Sequence, residues 1–201
     1  MAFKVEVFEQ DHAEQVARRV VEALPGGGSL VLTGGTTAEK IYPRLAGKKD
    51  WSQVTFAFSD ERCVPPDAPE SNYGMVKRLF LDAIDPGPVH RMKGELTPER
   101  AAAEYDSEIR HLVHQGFDLM LLGMGADAHI GALSPGSPAL ASDALCAPVD
   151  RPDGLKGLTL TPPAILSARK ILLIVTGEAK AETVKRAIEG NEPVERCPVR
   201  L

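Results

Sequence analysis

Four short stretches bring together side chains that can do chemistry. The run Phe117-Asp118-Leu119-Met120-Leu121-Leu122 opens into Gly123-Met124-Gly125-Ala126-Asp127-Ala128-His129. An imidazole titrates near neutrality, so His129 can take a proton from water at pH 7, and Asp127 is near enough in sequence to orient it. Taken alone, this turn reads first as a histidine that merely caps a helix. Thr33-Gly34-Gly35-Thr36-Thr37 follows the apolar run Ser29-Leu30-Val31-Leu32. Glycines let backbone N–H groups approach an anion and threonine hydroxyls add donors, although an ordinary capped strand-to-helix turn uses the same residues. Asp60-Glu61-Arg62 follows Val54-Thr55-Phe56-Ala57-Phe58, either as part of a site or as a solvated charge cluster. Lys180 falls in the first turn of a helix predicted from Glu178 to Ile188. A cation opposes the helix dipole there, which points to an anionic ligand unless the lysine is simply exposed.

Short apolar runs that end in glycine or charge read as buried strands, and ligands of open α/β sheets sit beyond the carboxyl ends of such strands. Helical spacing fills the intervals. Helices are predicted from Asp11 to Leu24, from Ala38 to Leu45, from a Ser71 cap to about Leu81, and from a Thr97 cap with Pro98 in the first turn. His111 and His114 lie late in that last helix, where they complement its carboxyl end. Further strands are predicted at Phe3 to Phe8, Ala144 to Val149 and Leu158 to Thr161, with a short helix from Pro162 to Ala168. The run Lys170 to Gly177 reads as another central strand. Strands alternating with helices imply a three-layer α/β/α fold with a mostly parallel, Rossmann-like sheet, in one domain spanning residues 1–201.

Composition excludes several classes of partner. The chain carries 23 basic against 28 acidic side chains, and the basic ones are scattered, which suits no nucleic-acid backbone. Lys4 and Glu6 interrupt the apolar positions of the amino-terminal residues, so neither a signal peptide nor a membrane span is expected, and a cytoplasmic location is. Cys63, Cys146 and Cys197 are odd in number and far apart, which fits free thiols rather than disulfides or a zinc site. Gly123 to Ala128 formally matches the dinucleotide fingerprint G-x-G-x-x-A. Against that reading, Asp127 would set a carboxylate where pyrophosphate should lie, and the cleaner glycine turn is the one near residue 34.

The stretches Thr33-Gly34-Gly35-Thr36, Asp60-Glu61-Arg62, Glu70-Ser71-Asn72-Tyr73, His90-Arg91-Met92-Lys93-Gly94-Glu95, Gly123 to Gly136 and Leu158-Thr159-Leu160-Thr161 occur together in this order. The combination resembles the 6-phosphogluconolactonases across nearly the whole chain. The resemblance implies a fold shared with glucosamine-6-phosphate deaminase, and hydrolysis of 6-phosphoglucono-δ-lactone without a metal or organic cofactor. By position it assigns Gly34, Gly35 and Thr36 to the substrate phosphate or neighbouring hydroxyls. Arg62 becomes an anion or oxyanion contact, Asn72 a supporting polar contact, Asp127 the orienting carboxylate, His129 the base and Lys180 a phosphate contact. The implied partner is a small phosphorylated sugar lactone, with no nucleic acid and no membrane, and the implied assembly is a monomer or homodimer.

This chain departs from the family pattern at defined places. Ala126, Ala128, Ile130, Gly131, Ala132 and Ser134 replace the commoner residues around the central turn, while Asp127, His129, Leu133, Pro135 and Gly136 keep it. An arginine usually precedes the Thr159-Leu160-Thr161 run by two positions, where Gly157 stands here, and Lys156 is the candidate substitute, as a point charge without the arginine fork. Family members also usually continue past the last residues into another strand and helix, so a sheet edge is expected to be left uncovered or to be covered by a second subunit. Two other functions are compatible with the fold. A glucosamine-6-phosphate isomerase/deaminase would draw its base from Asp60-Glu61, and a non-catalytic sugar-phosphate sensor would need a DNA-binding module that has no counterpart before residue 29.

Overall fold

Alternation along the strands sorts the apolar side chains of this protein into two cores, one on each face of a parallel sheet. The computed structural model describes residues 4–201. In chain order, α1 (His12–Ala23) leads to β1 (Gly28–Leu32) and α2 (Thr36–Ile41), and Ser59 alone separates β2 (Val54–Phe58) from β3 (Asp60–Arg62). Next come α3 (Asn72–Leu79), α4 (Pro98–Gln115) and β4 (Leu119–Gly123). The chain then forms β5 (Cys146–Asp150), β6 (Lys156–Leu160), α5 (Pro162–Leu166), β7 (Ile171–Ile174) and α6 (Ala181–Glu189). Strands β2, β1, β4 and β7 pair in that order, all parallel, and β3, β6 and β5 form a separate antiparallel sheet.

Successive side chains of a strand point to opposite faces. Leu30, Leu32, Phe56, Phe58, Leu119 and Leu121 accordingly enter a core with α1, α2 and α3. Val31, Ala57, Met120 and Leu122 enter the other, which they share with α4, α5 and the antiparallel sheet. The architecture is thus the layered α/β one expected, with the second sheet built into one outer layer. Among the described residues no helix is long and apolar enough to cross a membrane.

Two buried tyrosines mark where the parallel strands give way to loops. Tyr42 Oη accepts from Thr33 N at 3.0 Å and donates to Thr33 O at 2.5 Å. Tyr105 Oη does the same for Phe58, at 2.7 and 2.9 Å. Each hydroxyl satisfies both polar groups of one buried residue, so the chain can leave the ladder without stranding them. Burial pushes both phenols above their ordinary range, and they serve as neutral clasps.

Several expectations are corrected by the structure. Phe3 lies outside the described residues, and Lys4 to Phe8 form no strand. Their alternation is real, but Val5 and Val7 are exposed and have no sheet to join. Helix α2 begins at Thr36, directly after the glycines, and the final helix begins at Ala181 after a 3-10 turn over Glu178–Lys180. Strand β7 is an edge strand rather than a central one, with Ile171 and Leu173 more than a third exposed. Asp60, Glu61 and Arg62 form a strand of the second sheet, with Asp60 and Glu61 buried, so they are no solvated charge cluster.

Glu61 joins that short strand to α3. Its side chain is 2 % exposed, yet it is satisfied by four donors. Oε1 accepts from the backbone N–H of Arg62 at 2.8 Å and of Asn72 at 2.7 Å. Oε2 accepts from Tyr73 N at 2.8 Å and Ser71 Oγ at 3.0 Å. Burial raises the carboxyl above its usual range even against these donors. Ser71 also caps α3 by accepting from Gly74 N at 3.0 Å. In Glu61→Gln the amide NH2 would replace an acceptor that two donors require, leaving buried groups unpaired. The variant should lose about 2 kcal/mol or more of stability, read as a lower urea midpoint at unchanged slope.

Candidate active site

The carboxyl ends of β1, β2 and β4 open on a cleft of about 200 Å³, closed on its far sides by residues from the β5–β6 hairpin and the start of the last helix. Each wall has a local cause. At the end of β1, Gly34 packs against α3 so closely that a Cβ there would lie 1.9 Å from Asn72 Oδ1. Only glycine fits. Gly35 has φ 92°, in the left-handed half of the map, which turns the chain into α2. Thr37 Oγ1 and Thr176 Oγ1, 2.8 Å apart, tie this loop to the segment after β7.

The second wall comes from β3. Its alternation sends Asp60 and Arg62 to the cleft and Glu61 away from it. Asn72, at the start of α3, fixes both. Its Nδ2 donates to Asp60 O at 2.9 Å and Asp60 Oδ2 at 3.0 Å, and its Oδ1 accepts from Arg62 Nη1 at 2.5 Å. Asp60 Oδ1 also accepts from Ser59 Oγ at 2.7 Å. Arg62 Nη1 donates further to Glu70 O at 2.9 Å, and its buried Nε has no partner among the described residues.

The turn after β4 forms the third wall. Gly125 N donates to His129 O at 3.0 Å and Ala128 N to Gly125 O at 3.1 Å, which folds the turn back on itself. Ala128 pays for this with φ 73°, a left-handed conformation uncommon for a residue with a Cβ. A side chain at Gly125 would collide with the imidazole, its Cβ falling 2.2 Å from His129 Nδ1. Asp127 Oδ1 lies 2.7 Å from His129 Nδ1 and also accepts from His129 N at 3.2 Å. An ionised carboxylate can only accept, so Nδ1 carries the proton and Nε2 is left as the basic nitrogen. Burial alone would raise the Asp127 carboxyl, but the His129 amide and the His129 ring outweigh it and hold it below its ordinary range. The 3-10 turn and the last helix brace the turn: Lys180 Nζ donates to Met124 O at 2.5 Å and Thr183 Oγ1 to Ala126 O at 2.7 Å.

Gly34, Gly35, Thr36, Arg62, Asn72, His129 and Lys180 therefore line one cleft, and Asp127 stands behind His129. Lys156 does not join them. Its side chain is largely exposed and paired with Asp150 on the neighbouring strand, because its position on β6 faces away from the opening. The sequence reading missed Arg151, which does line the cleft, and used Asp60 only in an alternative. Arg151 follows β5 in a polar turn, and the one trace it leaves in the sequence is the glycine at 157 that makes room for it. The cleft holds the cations Arg62, Arg151 and Lys180 against the single carboxylate of Asp60, although the whole chain has a net charge of −5. Its field favours an anionic ligand. Among the described residues, no group of three or more His, Cys, Asp or Glu side chains is placed to hold a metal ion.

Comparison with known proteins adds a family. The family model described as glucosamine-6-phosphate isomerases/6-phosphogluconolactonase matches residues 4–201. A 6-phosphogluconolactonase of Treponema pallidum is 38 % identical over 166 residues, covering 76 % of this chain and 69 % of its own. One from Aggregatibacter actinomycetemcomitans is 32 % identical over 200 residues, covering 94 % and 85 %. The crystal structure of 6-phosphogluconolactonase from Thermotoga maritima superposes with a TM-score of 0.86 at 25 % identity, covering 92 % of this chain and 89 % of that one.

The lowered Asp127 carboxyl has a consequence for stability. A carboxyl depressed in the folded state contributes stability that is complete above its unfolded pKa and is lost as the pH falls through the folded value. Native protein should melt above Asp127→Asn near neutral pH, and the gap between their thermal midpoints should close in acid. A gap that stays constant across the acid range would show that Asp127 acts through shape alone.

Proposed function

The chain belongs to the glucosamine-6-phosphate isomerase/6-phosphogluconolactonase family, and on that premise we propose that it hydrolyses 6-phosphoglucono-δ-lactone to 6-phosphogluconate, a step of the oxidative pentose phosphate pathway. The observation that carries the reading is the Asp127–His129 pair beside a cleft whose charges favour a phosphorylated ligand. His129 Nε2 takes a proton from water as the oxygen adds to the lactone carbonyl carbon. The carbonyl electron pair moves onto oxygen, and Arg62 with backbone N–H groups of the turns stabilises that oxyanion. Collapse of the tetrahedral intermediate breaks the bond between the carbonyl carbon and the ring oxygen. The imidazolium returns its proton to the departing alkoxide, and the new carboxyl ionises at neutral pH.

Asp127 holds the imidazole in the tautomer that keeps Nε2 basic and balances the positive charge formed in the step. The Gly34-Gly35-Thr36 loop and Lys180 hold the phosphate, and the binding energy of this remote group positions the ring for attack. Asn72 keeps Arg62 in place. No observation favours the isomerase/deaminase reading: Asp60 is tied to Ser59 and Asn72, and Glu61 is spent on four donors outside the cleft. A phosphorylated sugar does not diffuse through membranes, so the enzyme is placed in the cytoplasm with its substrate, as a monomer or homodimer of single-domain chains.

The test is to generate the lactone in situ and compare its hydrolysis with the spontaneous rate. Native protein should accelerate it, and a folded sample that does not would remove the reading. His129→Ala should lower turnover by about 10²- to 10⁴-fold while 6-phosphogluconate binds within a few-fold of native. Turnover near the native value would remove His129 as the base.

A further inference from the structure

We propose that Arg151 is the guanidinium that recognises the substrate phosphoryl group, and that Gly157 is what admits it to the cleft. The inference rests on the lactonase reading above and adds a residue, and a pairing of residues, to it.

The β5–β6 hairpin sets the geometry. Gly157 sits in the middle of the antiparallel sheet, paired with Arg62 of β3 on one side and Val149 of β5 on the other. Cross-strand partners project to the same face, and so does the residue two beyond a partner on its strand. A side chain at 157 would therefore emerge beside Arg62. Arg151, two residues after Val149, occupies that space instead. A Cβ built on Gly157 would lie 2.8 Å from Arg151 Cδ and 3.1 Å from Cγ. A side chain at 157 and Arg151 in its present position exclude each other.

The turn holds Arg151 in place through its backbone and Nε, and leaves its two outer nitrogens open. Arg151 N donates to Leu155 O at 3.1 Å, and Gly154 N to Arg151 O at 3.0 Å. The side chain is only 15 % exposed, and Nε donates to Asp153 Oδ2 at 3.2 Å. Asp60 Oδ2 is 4.0 Å from Nη1, beyond hydrogen-bond distance. Among the described residues the two outer nitrogens make no hydrogen bond. Arg62, by contrast, already donates to Glu70 O and Asn72 Oδ1, and Lys180 leans on Met124 O. Arg151 thus carries its ion pair on Nε and keeps both outer nitrogens of its fork open, whereas Arg62 already spends one of its outer nitrogens. A phosphoryl dianion calls for more than one positive charge, and a guanidinium offers two parallel donors to it where a lysine offers a point charge.

The experiment compares Arg151→Ala, Arg151→Lys and the double variant Arg151→Ala with Gly157→Arg, which moves the guanidinium from one strand to the next. In Arg151→Ala, KM for the phosphorylated lactone and the inhibition constant of inorganic phosphate should both rise about 10- to 100-fold, with kcat within a few-fold of native. Arg151→Lys should fall between native and Arg151→Ala on both measures. The double variant should recover part of the loss, which a merely structural role of Arg151 in the turn would not allow. Unchanged KM and unchanged phosphate inhibition in Arg151→Ala would overturn the proposal, as would a loss confined to kcat. Should Arg151→Ala fail to fold, Arg151→Lys carries the same decision. Failure of the lactonase reading shows separately, in native protein that does not accelerate hydrolysis. Protection of that native protein by inorganic phosphate against thermal unfolding, weakened in Arg151→Lys and abolished in Arg151→Ala, would then still assign the anion site.

Discussion

A buried carboxylate organises one side of this molecule. Glu61 is withdrawn from water, and the cost is met only because the backbone of β3 and the amino end of α3 both aim donors at it. That requirement fixes the helix start against the strand. Once it is fixed, strand alternation leaves no choice about Asp60 and Arg62, which must face the opposite way, into the cleft. Asn72 then lies where it can bridge them, and the β1 loop can close against Asn72 only through a glycine. A cluster of polar contacts outside the cleft thus determines the shape of half the site.

The other half is set by how the parallel strands end. The tyrosine clasps let β1 and β2 release their chains at the same edge without leaving buried N–H or C=O groups unpaired. The turn after β4 arrives at that edge with no clasp of its own. It is folded by its internal hydrogen bonds and braced by Lys180, just before the last helix, and by Thr183 within it. Lys180 therefore has two roles: its ammonium supports the turn through Met124 O and also contributes to the positive field of the cleft. The result is a local reversal of charge in an acidic protein, which attracts an anionic ligand to one place on its surface.

Much of this was legible in the sequence because apolar runs and glycine turns are local signals. Val54 to Phe58 and Leu119 to Gly123 announce themselves as buried strands, and His129 two residues after Asp127 reads as a dyad once the other motifs stand beside it. Other features depend on partners that a single segment cannot name. The apolar run at Ile171 to Ile174 reads as central, yet whether a strand has one neighbour or two is a property of the sheet. Asp60-Glu61-Arg62 is too short and too charged to read as a strand until its pairing with Lys156–Leu160 is known. The alternation of Lys4 to Phe8 is a sufficient pattern with no sheet to receive it. Lys156 was the plausible replacement cation by adjacency, but a strand neighbour faces the wrong side, whereas Arg151 reaches the cleft through a hairpin and past a missing side chain. Proximity in sequence and proximity in the folded sheet differ most at such hairpins.

The left-handed alanine of the central turn links local geometry to the whole fold. At Ala128 the backbone holds a conformation that costs an ordinary residue about 1–2 kcal/mol, and its methyl group is fully enclosed. Its carbonyl accepts from Val199 N at 3.0 Å, a residue more than seventy positions later in the chain. A glycine could relax here into several conformations as the surroundings loosened, and the turn would then decay gradually. An alanine has little room between being held and springing away. The dyad geometry is therefore cooperative with the distant carboxyl-terminal contact: heating should leave Asp127 and His129 aligned almost until the packing around Val199 gives way, and then lose them together.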